Sequence, residues 1–241
     1  MSHATPTRGV RRRTLVTTHP EPPEGFRTSG VPASGTRLVL IRHGEATCNK
    51  EGVFGGPLGC RGLTELGRRQ AAALLERLLM SRELMTSSVL YSSTLSRAVE
   101  TAAILAPGIA NLAVELDEEL CELQPGDADG MSWEQVIATY GEPDWDADPS
   151  RVVAPGGESW LGFYERCERA LRRIVAQHRG ELVVLVVHGG VIEQAMKMLF
   201  DLAPETRMRL RTENCSMTEI EFSERGKRLL RYNDRAPLAA E

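Results

Sequence analysis

Two apolar runs frame this chain. Leu38-Val39-Leu40-Ile41 and Leu182-Val183-Val184-Leu185-Val186-Val187 are continuous rather than alternating, the pattern of strands buried on both faces of a sheet. They predict strands over 37–42 and 182–187. Between them the spacing turns helical. Thr64 reads as an N-cap, with Leu66, Ala71, Leu74, Leu75, Leu78 and Leu79 on one face. Ser87–Tyr91 reads as a short strand, with Ser92-Ser93-Thr94 offering caps for a helix over 95–105 whose inward residues are Leu95, Val99, Ala102 and Leu105. A third strand is expected at 112–116, then a long loop over 117–157. From Gly156-Gly157-Glu158-Ser159 a helix runs to about 178, with Leu161, Tyr164, Leu171, Ile174 and Val175 inward. A helix over 191–200 and two late strands, 216–222 and 228–232, complete the order. Strands interleaved with helices predict an α/β fold: three layers, α/β/α, around a mainly parallel sheet in a single domain.

Composition narrows the function. The chain has 241 residues, 41% hydrophobic, with a net charge of −4, which argues against a nucleic-acid binder. No apolar run reaches membrane-spanning length, and the N-terminal arginines are followed by no apolar signal region. The expectation is a cytoplasmic protein without nucleic-acid or membrane partners. Cysteines 48, 60, 121, 167 and 215 are scattered without a Cys-x-x-Cys pair, so neither a metal site nor a disulfide framework is indicated. Residues 1–36, rich in Pro, Gly, Ser, Thr and Arg, read as a disordered tail. There Arg11-Arg12-Arg13 is read as a solvated cluster before a contact to an acidic partner. The folded domain is placed at 37–235, with a short tail at 236–241.

The chemistry sits where the strands stop. The first ends in Arg42-His43-Gly44 and the second in His188-Gly189-Gly190; ligands of open α/β sheets bind at such carboxyl ends. A guanidinium fork matches phosphoryl oxygens, and a neutral imidazole beside it is a nucleophile. Backbone N–H groups after Gly189, at a helix start, add an anion site. Arg97 falls in the first turn of a helix, where the dipole disfavours a cation; it either reaches an anion or is a plain surface arginine. Each histidine alone reads as a structural hydrogen-bonder. Two at matching strand ends, one beside an arginine, describe a pocket for a tetrahedral dianion.

These residues resemble the histidine phosphatase superfamily, also called the phosphoglycerate mutase-like family. Its Arg-His-Gly-Glu-Thr-x-x-Asn signature is similar to Arg42-His43-Gly44-Glu45-Ala46-Thr47-Cys48-Asn49. Further blocks match at Leu63-Thr64 through Gln70-Ala71, at Ser92-Ser93 through Arg97-Ala98 to Thr101-Ala102, at Glu122 with Gly126 and Gly130, at Gly156–Ser159, and at Val187–Gly190. The resemblance implies that His43 is a nucleophile forming a phosphohistidine. It implies that Arg42, Arg97 and His188 hold the phosphoryl oxygens with help from Asn49, and that Glu122 exchanges the proton with the leaving oxygen and then with water. No metal and no cofactor are implied.

Departures from the family pattern bear on substrate. Ala46 stands where the family carries Thr, with Thr47 a candidate substitute. Val53 stands where mutases of the family carry Arg, so the expectation is a metal-independent phosphatase before a mutase; Arg61 is a candidate substrate contact. The expected partner is a small phosphorylated metabolite, with a phosphoprotein as the second option and a homodimer left open. A non-catalytic phospho-ligand binder is the alternative from another class.

Overall fold

The computed structural model describes residues 35–235. The expectations for the two tails, the triple arginine included, lie outside those residues except at 35 and 36. Thr36 already belongs to the first strand, which begins one residue earlier than expected.

Six strands form one sheet: β1 (Thr36–Arg42), β2 (Val89–Ser92), β3 (Val114–Leu116), β4 (Leu182–Val187), β5 (Ser216–Ser223) and β6 (Gly226–Arg235). Their spatial order is β3-β2-β4-β1-β5-β6. The first four are parallel, and β5 and β6 close the far edge as an antiparallel hairpin. The two apolar runs are central neighbours. Alternate residues of each feed opposite faces, because side chains alternate along a strand. Leu38, Leu40, Val183 and Leu185 pack with Phe163, Leu171, Ile174 and Ile192 in one core. Val39, Ile41, Val184 and Val186 pack with Ala71, Leu74, Leu78 and Ala102 in the other. The three-layer α/β/α expectation holds.

The helices are α1 (Thr47–Glu51), α2 (Glu65–Ser81), α3 (Ser96–Leu105), α4 (Trp133–Tyr140), α5 (Trp160–Gln177) and α6 (Gly189–Phe200). Thr64 caps α2 by accepting from Gly67 N at 3.0 Å, and Ser159 caps α5 by accepting from Gly162 N at 3.0 Å. On α2, Leu79 departs from the expected face and is half exposed. The expected serine cap of α3 is a correction: Leu95 takes the N-cap position without a side-chain bond, and Ser93 is engaged elsewhere. The long loop also needs correcting, since it contains α4 and two short 3-10 turns, Glu118–Leu120 and Gly126–Ala128. Ser132 and Gln135 cap α4 reciprocally, at 3.2 and 2.8 Å.

Register sets the geometry of the site. β1 and β4 pair from Arg37 with Leu182 to Arg42 with Val187, so His43 and His188 are each the first residue past the paired segment. His43 N still donates to Val187 O at 3.0 Å. β2 flanks β4, pairing Ser92 with Val186, which brings Ser93 beside His188. No described helix is long and apolar enough to cross a membrane.

Candidate active site

Four of the expected residues meet at these strand ends. His43 and His188 are buried, with ring centroids 5.0 Å apart. Arg97, also buried, lies between them: its Nε donates to His43 Nε2 at 3.1 Å and to His188 Nδ1 at 3.2 Å. Its Nη1 donates to Gly55 O at 2.7 Å, so the glycine-rich stretch between Gly52 and Gly59 closes on the site. Between the two readings left open for Arg97, burial against both imidazoles excludes the plain surface arginine. Arg42 bonds Thr212 O through Nη1, while its Nε is buried without a partner.

The bonds define the tautomers. His43 Nδ1 lies 2.6 Å from Gly44 O, a group that only accepts, so Nδ1 carries the proton. That leaves a lone pair on Nε2, where Arg97 donates. His188 accepts at Nδ1, so its Nε2–H donates to Ser93 Oγ, 2.6 Å away. Both imidazoles are held well below the usual histidine pKa. Burial is the largest cause for each, and Arg97 comes next. Both are therefore neutral at pH 7. Burial also pulls the Arg42 guanidinium down, with Glu122 and Glu213 opposing it; an arginine remains charged throughout.

The loop after β1 is held by close backbone packing. A Cβ on Gly44 would overlap Gly67 O and come within 3.0 Å of Gly67 C, and one on Gly67 would overlap Glu45 O. Only glycines allow that approach. Glu45 N donates to Gln70 Oε1 at 2.8 Å, and Thr64 Oγ1 donates to Glu45 Oε1 at 2.7 Å. Asn214 Nδ2 donates to His43 O at 2.9 Å, and Gly44 N donates to Thr101 Oγ1 at 3.1 Å. These contacts fix the backbone around the imidazole.

Glu122 reaches the start of α6. Its Oε2 accepts from Gly190 N at 3.0 Å and its Oε1 from Leu123 N at 3.1 Å. The backbone N–H that follows Gly189 thus donates to the carboxylate of Glu122, and Gly189 itself packs near Arg42. A Cβ on Gly190 would overlap Glu122 Oε1 and stand 2.9 Å from Phe163 Cε1. The loop that carries Glu122 is held through its backbone by Arg166, which sequence reasoning missed. Arg166 donates to the carbonyls of Glu119, Cys121 and Glu122 at 2.8, 2.9 and 3.2 Å and grips Glu158 with two bonds of 2.6 Å. Its one legible signal was a cation on the buried stripe of α5.

Asn49 is not joined to this cluster by any bond. It is exposed, and its Oδ1 accepts from Ala46 N at 3.1 Å, closing the first turn of α1. Thr47 turns its hydroxyl to Gly62 O at 3.5 Å, and Arg61 pairs with Glu51 on the surface. A cleft of about 310 Å³ opens beside Glu122, between Gly56, Thr94, Leu95 and Gln124. A larger one, about 380 Å³, lies at the opposite end of β1, against Thr36 and Phe222, and holds none of the expected residues.

An α/β fold thus brings two neutral imidazoles, a buried and a half-buried guanidinium and a carboxylate together at the sheet's carboxyl edge. Residues 38–235 match the histidine phosphatase superfamily (branch 1), and the chain belongs to that family. It is 40% identical over 158 residues to phosphoglycerate mutase-like protein 4 of Arabidopsis thaliana, covering 64% of this chain and 67% of the relative. It is 34% identical to a metal-independent phosphoserine phosphatase of the same plant, covering 67% of this chain and 68% of that one. Among solved structures, a mycobacterial glucosyl-3-phosphoglycerate phosphatase complexed with VO3 superposes with a TM-score of 0.67 at 29% identity, covering 82% of this chain and 99% of that one. The chain is an enzyme of the histidine phosphatase type.

Proposed function

We propose that the chain hydrolyses a small phosphomonoester through a covalent phosphohistidine on His43 Nε2. The observation that carries this reading is the fixed tautomer: Nδ1–H is committed to Gly44 O, and the Nε2 lone pair faces Arg97. In the first step that lone pair attacks phosphorus and the bond to the leaving oxygen breaks. Glu122, entering this step as the neutral acid, gives its proton to that oxygen and is left as the carboxylate. In the second step water attacks phosphorus, the P–N bond breaks, and Glu122 takes the water's proton. Arg42 and Arg97 offset the charge on the equatorial oxygens in both transition states, as donors already in place. His188 joins them by shifting its proton to Nδ1, which Ser93 permits because a hydroxyl both donates and accepts.

Two features support a small ester. His43 is only 3% exposed, too deep for the side chain of a folded phosphoprotein. The phosphatase relatives are named for phosphoserine and glucosyl-3-phosphoglycerate. The position where mutases would place a guanidinium holds Val53, whose backbone bridges to Ser132, which favours hydrolysis over transfer. The test is hydrolysis of p-nitrophenyl phosphate by the full chain in EDTA beside His43→Ala. The reading expects activity in the first and none in the second. Equal rates in the two would end it.

A further inference from the structure

One peptide unit joins the phosphate clamp to a carboxylate that this mechanism does not use. Arg97 Nη1 donates to Gly55 O at 2.7 Å. On the far side of the same unit, Gly56 N donates to Asp129 Oδ1 at 2.8 Å. The unit is planar and trans, so its C=O and N–H point in opposite directions. The guanidinium and the carboxylate therefore face each other across it. Asp129 holds more of the turn than that. Its Oδ1 also accepts from Gly59 N at 2.8 Å, and its Oδ2 accepts from Leu58 N at 2.7 Å. Three N–H groups of one turn converge on a single side chain, which fills the anion-binding concavity they form.

The fit at this junction is close. A Cβ on Gly56 would stand 2.6 Å from Asp129 Oδ2. Backbone bonds brace the same place, with Gly130 N donating to Phe54 O and Phe54 N to Met131 O, both at 2.9 Å. Asp129 lines the cleft beside Glu122, but both of its oxygens are committed to the turn, so it is not a second acid. A bond to a carboxylate is stronger than one to a neutral acceptor. It also polarises the peptide unit, which makes the carbonyl opposite a better acceptor for the guanidinium. The other bond of Arg97 Nη1 is a long one, 3.9 Å to Cys48 Sγ, and a thiol is a weak acceptor. Gly55 O is thus the principal anchor of that nitrogen.

Resting on the phosphatase reading, we propose that Asp129 is a positioning residue for the reaction: through the Gly55–Gly56 peptide unit it fixes the Arg97 guanidinium where its Nε meets both imidazoles. The loop that carries Glu122 carries Asp129 seven residues later, so one segment places both the acid and the clamp. Without the carboxylate, the three N–H groups of the turn go to water. The Gly55–Gly56 unit is then free to rotate, and Gly55 O leaves Arg97 Nη1. The guanidinium, held at one end only, no longer meets the phosphoryl oxygens in a fixed geometry.

The test uses the full chain, with rates taken at a temperature where circular dichroism shows every variant folded. The first arm reads the Arg97 Nε–H signal in a nitrogen–proton correlation spectrum, assigned by its loss in Arg97→Ala. Asp129→Ala should move that signal toward those of exposed arginines. In the second arm, kcat/KM on p-nitrophenyl phosphate should fall about a hundredfold in Asp129→Ala, the effect of displacing a positioning group by about 1 Å. Asp129→Asn keeps an oxygen for Gly56 N and Gly59 N and loses only the bond from Leu58 N, so it should recover most of that loss. In an Arg97→Ala background, Asp129→Ala should cost nothing further, because two residues that act through one contact are not additive. A parent chain without activity would end the phosphatase reading alone, since the Nε signal still decides whether Asp129 places Arg97. An unmoved signal in Asp129→Ala, an Asp129→Asn variant no better than Asp129→Ala, or a full further loss in the Arg97→Ala background would each overturn the proposal.

Discussion

Gly190→Ala separates the acid from the rest of the machinery. The added methyl would overlap Glu122 Oε1 and press on Phe163, so the carboxylate must leave the start of α6. Losing its bond from Gly190 N costs about 1.5–3 kcal/mol for a charged acceptor. Alanine returns about 1 kcal/mol through its better helix propensity. The net loss of stability is then only about 1 kcal/mol, and the variant folds. Catalysis should suffer more, because general acid help is worth about 10²- to 10⁴-fold. The loss depends on the leaving group: an alkyl phosphate needs a proton on its leaving oxygen, whereas p-nitrophenolate leaves without one. The expected result is a fall of about a hundredfold or more in kcat on an alkyl phosphate, with a much smaller fall on p-nitrophenyl phosphate. Equal losses on the two substrates, or an unchanged rate on the alkyl ester, would refute the placement of Glu122 as the acid.

Other consequences follow from the same geometry. The folded pKa of His43 lies well below its unfolded value, so its contribution to stability is full above about pH 6.5 and is lost as pH falls. Between pH 6.5 and 5.5 that loss is about 1 kcal/mol; urea unfolding of His43→Asn should show a shallower acid slope by that amount, and an identical slope would contradict a buried neutral imidazole. Ser93→Ala strips the His188 Nε2–H of its acceptor, and should weaken orthovanadate binding about tenfold, equivalent to a loss of about 1.4 kcal/mol, with an unchanged Kd excluding Ser93 as the group that sets the tautomer. Arg166→Met removes three carbonyl contacts and leaves the largely buried Glu158 unpaired, at a cost of about 3–5 kcal/mol; a melting temperature within a degree of the parent would show that Arg166 does not hold the Glu122 loop.

The centre of the molecule was legible because β1 and β4 admit few readings. Apolar runs that long, each stopping at His-Gly, have to be buried strands with their polar ends at one edge, and their register then brings the histidines together. What escaped was carried by single contacts rather than by pattern. The five residues of α1 are too few to show a period, and the bond from Ala46 N to Asn49 Oδ1 that closes its first turn leaves no pattern in the sequence. The eight residues of α4 lie inside an acidic, proline-bearing stretch, although Ser132 and Gln135 spelled a capping box. Ser93 looked like a helix cap by position; only the pairing of β2 with β4 shows that it belongs to His188.

The central claim is a covalent bond to one nitrogen, and that bond can be trapped. Mixing the full chain with a rapidly hydrolysed phosphomonoester and quenching in alkali, where phosphohistidine survives, should leave one phosphoryl group. Peptide mapping should place it on His43, and the adduct should form and decay fast enough to account for turnover. Turnover with no adduct, or phosphate mapped to His188 instead, would contradict the account.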